Sequence, residues 1–260
     1  MEIYFEALSN HLWIILLFFL VALLYSSVGF GGGSSYLAIL AISGLALTQI
    51  RSTALLCNIA VVIGNVILYS KSGLYQWKKV LPLILLSIPL SFIGGYITVG
   101  RGFFIILLGF TLFFAALSMW FSKRIANKIE PTKKENYLQN SMIGGVIGFI
   151  SGMVGIGGGI FLAPVLHITH WDISRKIAAT ASLFIFANSV SGLIGQYFNP
   201  NFSVQWNLTV ILLITVVIGG QIGSRLSQKF LSPILLKRAT AILIAYVSLR
   251  ILILQFYSNL

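Results

Sequence analysis

Val28-Gly29-Phe30-Gly31-Gly32-Gly33-Ser34-Ser35 and Val154-Gly155-Ile156-Gly157-Gly158-Gly159-Ile160 are two versions of one motif. Gly33 and Gly159 stand 126 residues apart, about half of the 260-residue chain. Both copies interrupt long apolar runs. Glycine inside a helix costs about 0.8–1.0 kcal/mol per residue relative to alanine, so three in a row break one. Glycine also tolerates positive φ and admits the close approach of another backbone or a ligand. A duplicated, glycine-broken apolar helix is the pattern of a secondary transporter with two related halves, and it suggests where a substrate would sit.

Composition narrows the class. Hydrophobic residues make up 58% of the chain and charged residues 8%, with a mean hydropathy of +0.97. Soluble domains carry about 25% charged residues, so this chain cannot face water all round. Its apolar runs are continuous, which fits membrane-spanning helices and excludes the alternation of a β-barrel. A formal charge of +12 invites a nucleic-acid partner. The basic residues lie in short loops between apolar runs, however, as membrane topology requires, so no nucleic acid is expected. Glu2 and Glu6 replace the basic start of a cleavable signal peptide. The single cysteine, Cys57, lies in an apolar run and reads as a packed helix residue.

The apolar segments run approximately 11–28, 34–47, 53–70, 80–99, 103–121, 139–154, 159–169, 177–197, 206–224 and 234–256. A crossing needs about 20 residues. Segments 34–47 and 159–169 are too short, and each follows a glycine triplet. Each triplet therefore reads as the tip of a re-entrant helical hairpin, since irregular backbone at membrane depth must be buried in protein or line a cavity. Charge bias gives an independent check. With two hairpins, 14 of the 17 basic residues share one face, leaving Arg51, Arg101 and Arg250 on the other. If each hairpin stretch crosses once instead, the split is 8 against 9 and the bias vanishes. The positive-inside rule favours the hairpins, with the basic face cytoplasmic and both termini outside.

The repeat extends beyond the tips. Thr53-Ala54 aligns with Thr180-Ala181, Gly64 with Gly192, Trp77 with Trp206, and Ile93-Gly94-Gly95 with Ile218-Gly219-Gly220. The expected fold is an all-α polytopic membrane protein of two inverted repeats. Each repeat has one glycine-tipped hairpin and three transmembrane helices, giving about eight hydrophobic units in all. Residues 1–121 form the first repeat, 122–138 a cytoplasmic linker and 139–260 the second repeat. Three crossings per half turn the second half upside down, and the site falls at the interface between halves near the midplane.

After each tip a new helix begins, and its unpaired N–H groups and positive dipole end attract anions. The candidate substrate site comprises Gly31, Gly32, Gly33, Ser34 and Ser35 at the first tip and Gly157, Gly158 and Gly159 at the second. Ser151 is a small polar residue just before the second tip, and Asn58, Asn65, Thr180, Ser182, Asn188 and Gln196 lie in the following helices and would line the pocket, or simply hydrogen-bond between helices. Arg51 and Arg175 begin equivalent helices and are candidate entrance charges. Gly144, Gly148 and Gly152 have the spacing of a helix-packing face, which would also suit a homodimer. All five acids lie outside the apolar cores, so no buried carboxylate relay is available. There is no HExxH, Walker loop or Cys/His metal spacing, and no buried histidine beside a serine. Neither a metal, a cofactor nor an enzymatic activity is expected.

These residues resemble the TauE/SafE sulfite exporter family, also called the toluene sulfonate uptake permease family. The likeness rests on Val28–Gly33, on Gly152 and Val154–Gly159 followed by Pro164, and on the Gly94-Gly95 and Gly219-Gly220 pairs. Ala38 stands near the position of that proline in the first half, where the halves have diverged. The resemblance covers essentially the whole chain. It implies an inner-membrane carrier exporting a small sulfur-containing anion, sulfite or an organosulfonate, by alternating access. Uptake of a different organic anion or sulfur compound is the alternative in the same class, and a non-transporting membrane scaffold the alternative in another. The implied partners are the small anionic substrate and the lipid bilayer.

Overall fold

A computed structural model describes residues 12–28, 30–125, 136–169, 171–226 and isolated positions between 241 and 253. Among these residues there are nine helices and no strand. They are α1 (Leu12–Val28), α2 (Gly33–Ala41), α3 (Leu47–Lys71), α4 (Trp77–Tyr96), α5 (Arg101–Ile125), α6 (Tyr137–Val154), α7 (Gly159–Ile168), α8 (Ser174–Tyr197) and α9 (Trp206–Leu226). Four of them, α3, α4, α8 and α9, are long and apolar enough to cross a membrane. Most of the linker, the last apolar segment expected at 234–256 and both termini lie outside the described residues.

Helix α3 starts at Leu47, six residues before the apolar run that announces it. Its first turns carry polar residues that find protein partners. Ser52 Oγ donates to Ser203 O at 2.9 Å, and Thr48 Oγ1 and Ser203 Oγ share a hydrogen bond of 2.9 Å. Hydropathy registers the polar atoms but not the partners, so it places the boundary too late.

Both short helices follow the glycine tips. At the first, the chain doubles back, so that Ser35 Oγ donates to Tyr25 OH at 3.0 Å, and further from the tip Phe18 stacks on Tyr36 at 4.5 Å. At the second, Gly155 ends α6 in the left-handed region (φ +88°), where its N–H donates to Ser151 O at 2.7 Å. Gly157 and Gly158 also have positive φ.

Glycine and serine contacts fix which helices lie together and which way they run. A Cβ on Gly144, Gly148 or Gly152 of α6 would collide with Leu83, Ser87 or Ser91 of α4 respectively. The two series rise together, so α6 and α4 are parallel. Gly219 and Gly223 of α9 meet Phe19 and Leu23 of α1 in the same sense. Ser191 Oγ donates to Ile88 O at 2.6 Å, and Ser91 Oγ to Asn188 O at 2.9 Å, which sets α8 beside α4. Asn199, just past α8, bonds Tyr96 O at the end of α4, so these helices too are parallel. Thr53 bonds Thr209 at 2.9 Å, and Gly64 lies near Gln221, so α3 and α9 are parallel.

Arg51, near the start of α3, bonds carbonyls at the end of α4, so these two helices are antiparallel. Helices α1, α3 and α9 therefore run one way and α4, α6 and α8 the other. Lys71, Lys78, Lys79, Arg175, Lys176 and Arg225 fall at one end of the bundle and Arg51 at the opposite end.

The halves are interleaved rather than stacked. The first limb of each hairpin packs on a long helix of the other half, α1 on α9 and α6 on α4. Ile156 of the second tip sits in a core built largely from α1, α2, α3, α5 and α9. Phe30, its counterpart in the first tip, packs against both this core and the second one, that of α4, α6, α7 and α8. The glycine face of α6 is thus used inside the molecule and is not free for a second copy.

Gly144→Val is expected to lower the melting temperature of the detergent-solubilised protein. The new side chain meets Leu83 backbone, which cannot rotate aside, and such overpacking costs about 1–3 kcal/mol. Gly100→Ala, with nothing within 4 Å of the added Cβ, is the control expected to melt unchanged. Equal melting of the two variants would contradict the α4–α6 contact.

Candidate functional site

The two hairpin tips meet at one side chain. Asn58 of α3 is fully buried, and its Nδ2 donates to Ile156 O at 3.0 Å and to Ser189 Oγ of α8 at 3.0 Å. Ile156 O can only accept, so the amide cannot be turned round, and Asn58 Oδ1 is left without a partner. The glycines clear the space. A Cβ on Gly31 would overlap Asn58 Oδ1, one on Gly33 would overlap Ile156 O, and one on Gly157 would overlap Asn58 Nδ2. The tips use glycine differently. Gly157 and Gly158 need positive φ (+83° and +80°), whereas Gly32 sits at φ −128° and Gly31 and Gly33 serve close approach alone.

Other expected residues gather at or near this junction. Gly31, Gly32, Gly33, Gly157, Gly158 and Gly159 are all buried. Ser34 and Ser35 are buried at the start of α2 and face Tyr25, at 3.5 and 3.0 Å between hydroxyls. Thr180 is buried next to Ala181, whose carbonyl lies 3.4 Å from a Cβ built on Gly159. Ser182 donates to Ala178 O at 2.9 Å within α8.

Asn188 reaches toward α4, and its Oδ1, like that of Asn58, is buried without a partner. Its Nδ2 donates to Ser87 Oγ of α4 at 3.0 Å and to Phe184 O at 2.8 Å, which ties α8 to α4. The two candidate entrance charges separate. Arg175 is exposed in the first turn of α8, while Arg51 is only 4% exposed and spreads its guanidinium over backbone carbonyls.

Tyr36 and Ser189, at the junction, have no individual signature in the sequence. Tyr36 OH and Ser151 Oγ are buried without partners beside the two tips. A Cβ on Gly32 would stand 2.7 Å from Tyr36 OH, and one on Gly158 would stand 3.2 Å from Ser151 Oγ. Ser189 and Gln196 belong to a longer arrangement. Arg51, Asn58 and Asn65 recur every seven residues on α3, and Ser182, Ser189 and Gln196 every seven on α8. Seven residues of α-helix span about 10.5 Å and return to nearly the same face. The helices are antiparallel, so Arg51 lies level with Gln196 and Asn58 with Ser189. Together they form a polar seam through an apolar bundle. Gln196 was already readable as an amide in an apolar run, and the seven-residue spacing was the readable signal for Ser189.

Each end of the seam opens into a cavity. One, of about 210 Å³, is lined by Thr48, Arg51, Thr98, Gln196 and Asn199 among others. The second, of about 220 Å³, is lined by Ser26, Asn65, Gln221, Ser224 and Arg225 among others. Gly95 lines the first and its repeat counterpart Gly220 the second. Near the second end, Asp172 pairs with Lys79 and Lys176 at 3.7 Å each, and Lys79 lies 5.5 Å from the centre of the Trp171 ring. This ionic cluster ties the start of α4 to the start of α8. Among the described residues no His/Cys/Asp/Glu group could hold a metal ion.

A helical bundle with long apolar spans, two glycine-broken half-helices and a polar seam between end cavities is that of a multi-pass membrane transporter. The chain belongs to the family described as Sulfite exporter TauE/SafE, whose pattern matches residues 14–251. It is 34% identical over 241 residues to the probable membrane transporter protein y4hK of Sinorhizobium fredii, covering 90% of this chain and 95% of that one. It is 29% identical to the probable membrane transporter protein MJ0441 of Methanocaldococcus jannaschii, over 61% of each chain. A third relative is the probable membrane transporter protein YunE of Bacillus subtilis, 25% identical over 68% of this chain and 71% of the relative. No solved structure matches the chain.

Proposed function

We propose that the protein carries a small sulfur-containing anion, sulfite or an organosulfonate, out of the cell by alternating access, with the tip junction as its substrate site. The observation that carries this reading is the convergence of both tips on Asn58, together with the unpartnered Asn58 Oδ1, Tyr36 OH and Ser151 Oγ. Buried polar atoms are ordinarily satisfied, and a bound ligand or water would satisfy these. The start of α2 and of α7 would add backbone N–H groups and the positive ends of two half-helices. The choice of a sulfur anion is supported by the family description.

The repeats 1–121 and 139–260 are inverted in this reading. Supporting it, α1, which opens the first hairpin, runs opposite to α6, which opens the second. The end bearing Lys78, Lys79, Arg175, Lys176 and Arg225 faces the cytoplasm under the positive-inside rule. The protein is then an inner-membrane carrier with both termini outside. Charge alone gives export a drive, since roughly 2.3 kcal/mol per charge is available at 100 mV.

The expected result is a rise in melting temperature of the detergent-purified protein with sulfite or one sulfonate. Stabilisation follows RT ln(1 + [L]/Kd), about 2.7 kcal/mol at a hundredfold excess over Kd. Flux of the same anion in proteoliposomes completes the test. A shift and flux with carboxylates alone would overturn the substrate, and no saturable flux with any anion would overturn the carrier.

A further inference from the structure

The cavity at the start of α3 holds a full charge with no counter-ion among the described residues. Arg51 Nη2 donates to Gly94 O, Gly95 O and Gly152 O at 3.3, 3.2 and 3.0 Å, and Nη1 to Ile97 O at 3.4 Å. Four carbonyls supply acceptors but no net negative charge. Asp172 is the one acidic residue among those described, and it pairs with Lys79 and Lys176 at the other end of the bundle. Arg51 Nε is buried without a partner. Across the same cavity Gln196 is 4% exposed, and neither its Nε2 nor its Oε1 has a partner.

An unpaired buried amide beside an uncompensated buried cation is unfavourable in the empty protein. The same pair is well matched to a ligand. A guanidinium edge and an amide NH2 at one small cavity complement an oxyanion head, which takes charge-assisted hydrogen bonds from both. We propose that this cavity is an oxyanion-binding site, separate from the tip junction, in which Arg51 Nε and Gln196 Nε2 hold the carboxylate- or sulfonate-type head of a small anion. The ligand's charge rests on the anion-carrier reading.

The repeat makes the site one-sided. Thr53-Ala54 aligns with Thr180-Ala181, which puts Ala178 at the counterpart of Arg51. At the other end of the seam, Ser26 Oγ donates to Gly220 O at 2.8 Å, where at this end Arg51 donates to its counterpart Gly95 O. One end of the seam thus has a buried charge and the other has a neutral hydroxyl.

The test uses Thr98→Cys in the full-length, detergent-solubilised protein. Thr98 is exposed on the cavity wall, and the native Cys57 is fully buried and shielded from reagent. Alkylation by N-ethylmaleimide is timed with methanesulfonate, acetate or chloride at constant ionic strength. At ten times the dissociation constant, an oxyanion slows alkylation about tenfold by mass action, and chloride does not. Gln196→Leu removes this protection while leaving the melting temperature of the empty protein unchanged or higher, because the amide gives up no hydrogen bond. Gly32→Val, whose added Cβ meets Tyr36 and Val21 at the first tip and none of the Arg51 partners, keeps the protection. No protection by either oxyanion, equal protection by chloride, protection that survives Gln196→Leu, or protection lost in Gly32→Val would each overturn the site. Failure of transport in Gly32→Val with protection intact leaves this site standing and tests the tips alone.

Discussion

Gly158→Val inserts into the membrane and fails to transport. Gly158 holds φ at +80°, a region that costs an L-residue about 1–2 kcal/mol, and a β-branched side chain fits it worst. The added Cβ would stand 2.8 Å from Phe184 Cε1 and 3.2 Å from Ser151 Cβ. Overpacking of this kind adds about 1–3 kcal/mol. The second tip must shift, and with it the start of α7 and the Ile156 carbonyl that Asn58 holds. Every 1.4 kcal/mol is about a factor of ten, so a displaced tip lowers initial flux by roughly a hundredfold. Gly33→Ala is the companion variant, because its Cβ meets the Ile156 carbonyl itself. Membrane yield and gel-filtration profile report insertion, and initial flux reports transport. Near-normal flux in both variants would remove the tips from the substrate site.

Asn58→Leu is the second large effect, and it acts on the same junction from the side of α3. Leucine has the branching and heavy-atom count of asparagine but is bulkier and cannot donate. Ile156 O then loses its donor and Ser189 Oγ its partner. Each orphaned buried group costs about 1–3 kcal/mol, so melting drops by the equivalent of roughly 2–5 kcal/mol and flux is lost. Ser189→Ala on its own removes one bond. In the double variant that loss is already counted, so the combined effect falls short of the sum by about 0.5–3 kcal/mol. Strict additivity in chemical denaturation would show that the Asn58–Ser189 bond carries no coupling between α3 and α8.

The helical plan was largely legible. Apolar runs announced α1, α4, α8 and α9 to within a few residues, and the glycine triplets announced both half-helices. The start of α3 was missed because Thr48, Gln49 and Ser52 look like loop until Ser203 is placed beside two of them. Half of the candidate site was readable because glycine triplets and amides in apolar runs are rare and expensive. The other half was not. Tyr36 and Ser189 are ordinary helix residues until burial fixes what they face, and burial depends on which helices meet. Asn188 carries the same sequence signal as Asn58, and each uses its Nδ2 to hold a neighbouring element while Oδ1 is left without a partner. No single-residue pattern tells which element such an amide will meet.

The interleaving of the halves sets the order in which the molecule can be built. Ser26 bonds Gly220, 194 positions later in the chain. A ribosome adding about 5–20 residues per second needs roughly 10–40 s to deliver that partner. During that interval α1 is already made, but α9, whose glycines pack on it, is not. The first hairpin cannot reach its final depth until α9 arrives, and the second hairpin meets α4 already waiting in the membrane. The two near-copies therefore mature by different routes, the early one held open until late in synthesis and the late one docking at once. Separately produced halves would each lack a surface that only the other supplies, and should recover a folded molecule only when they are made together.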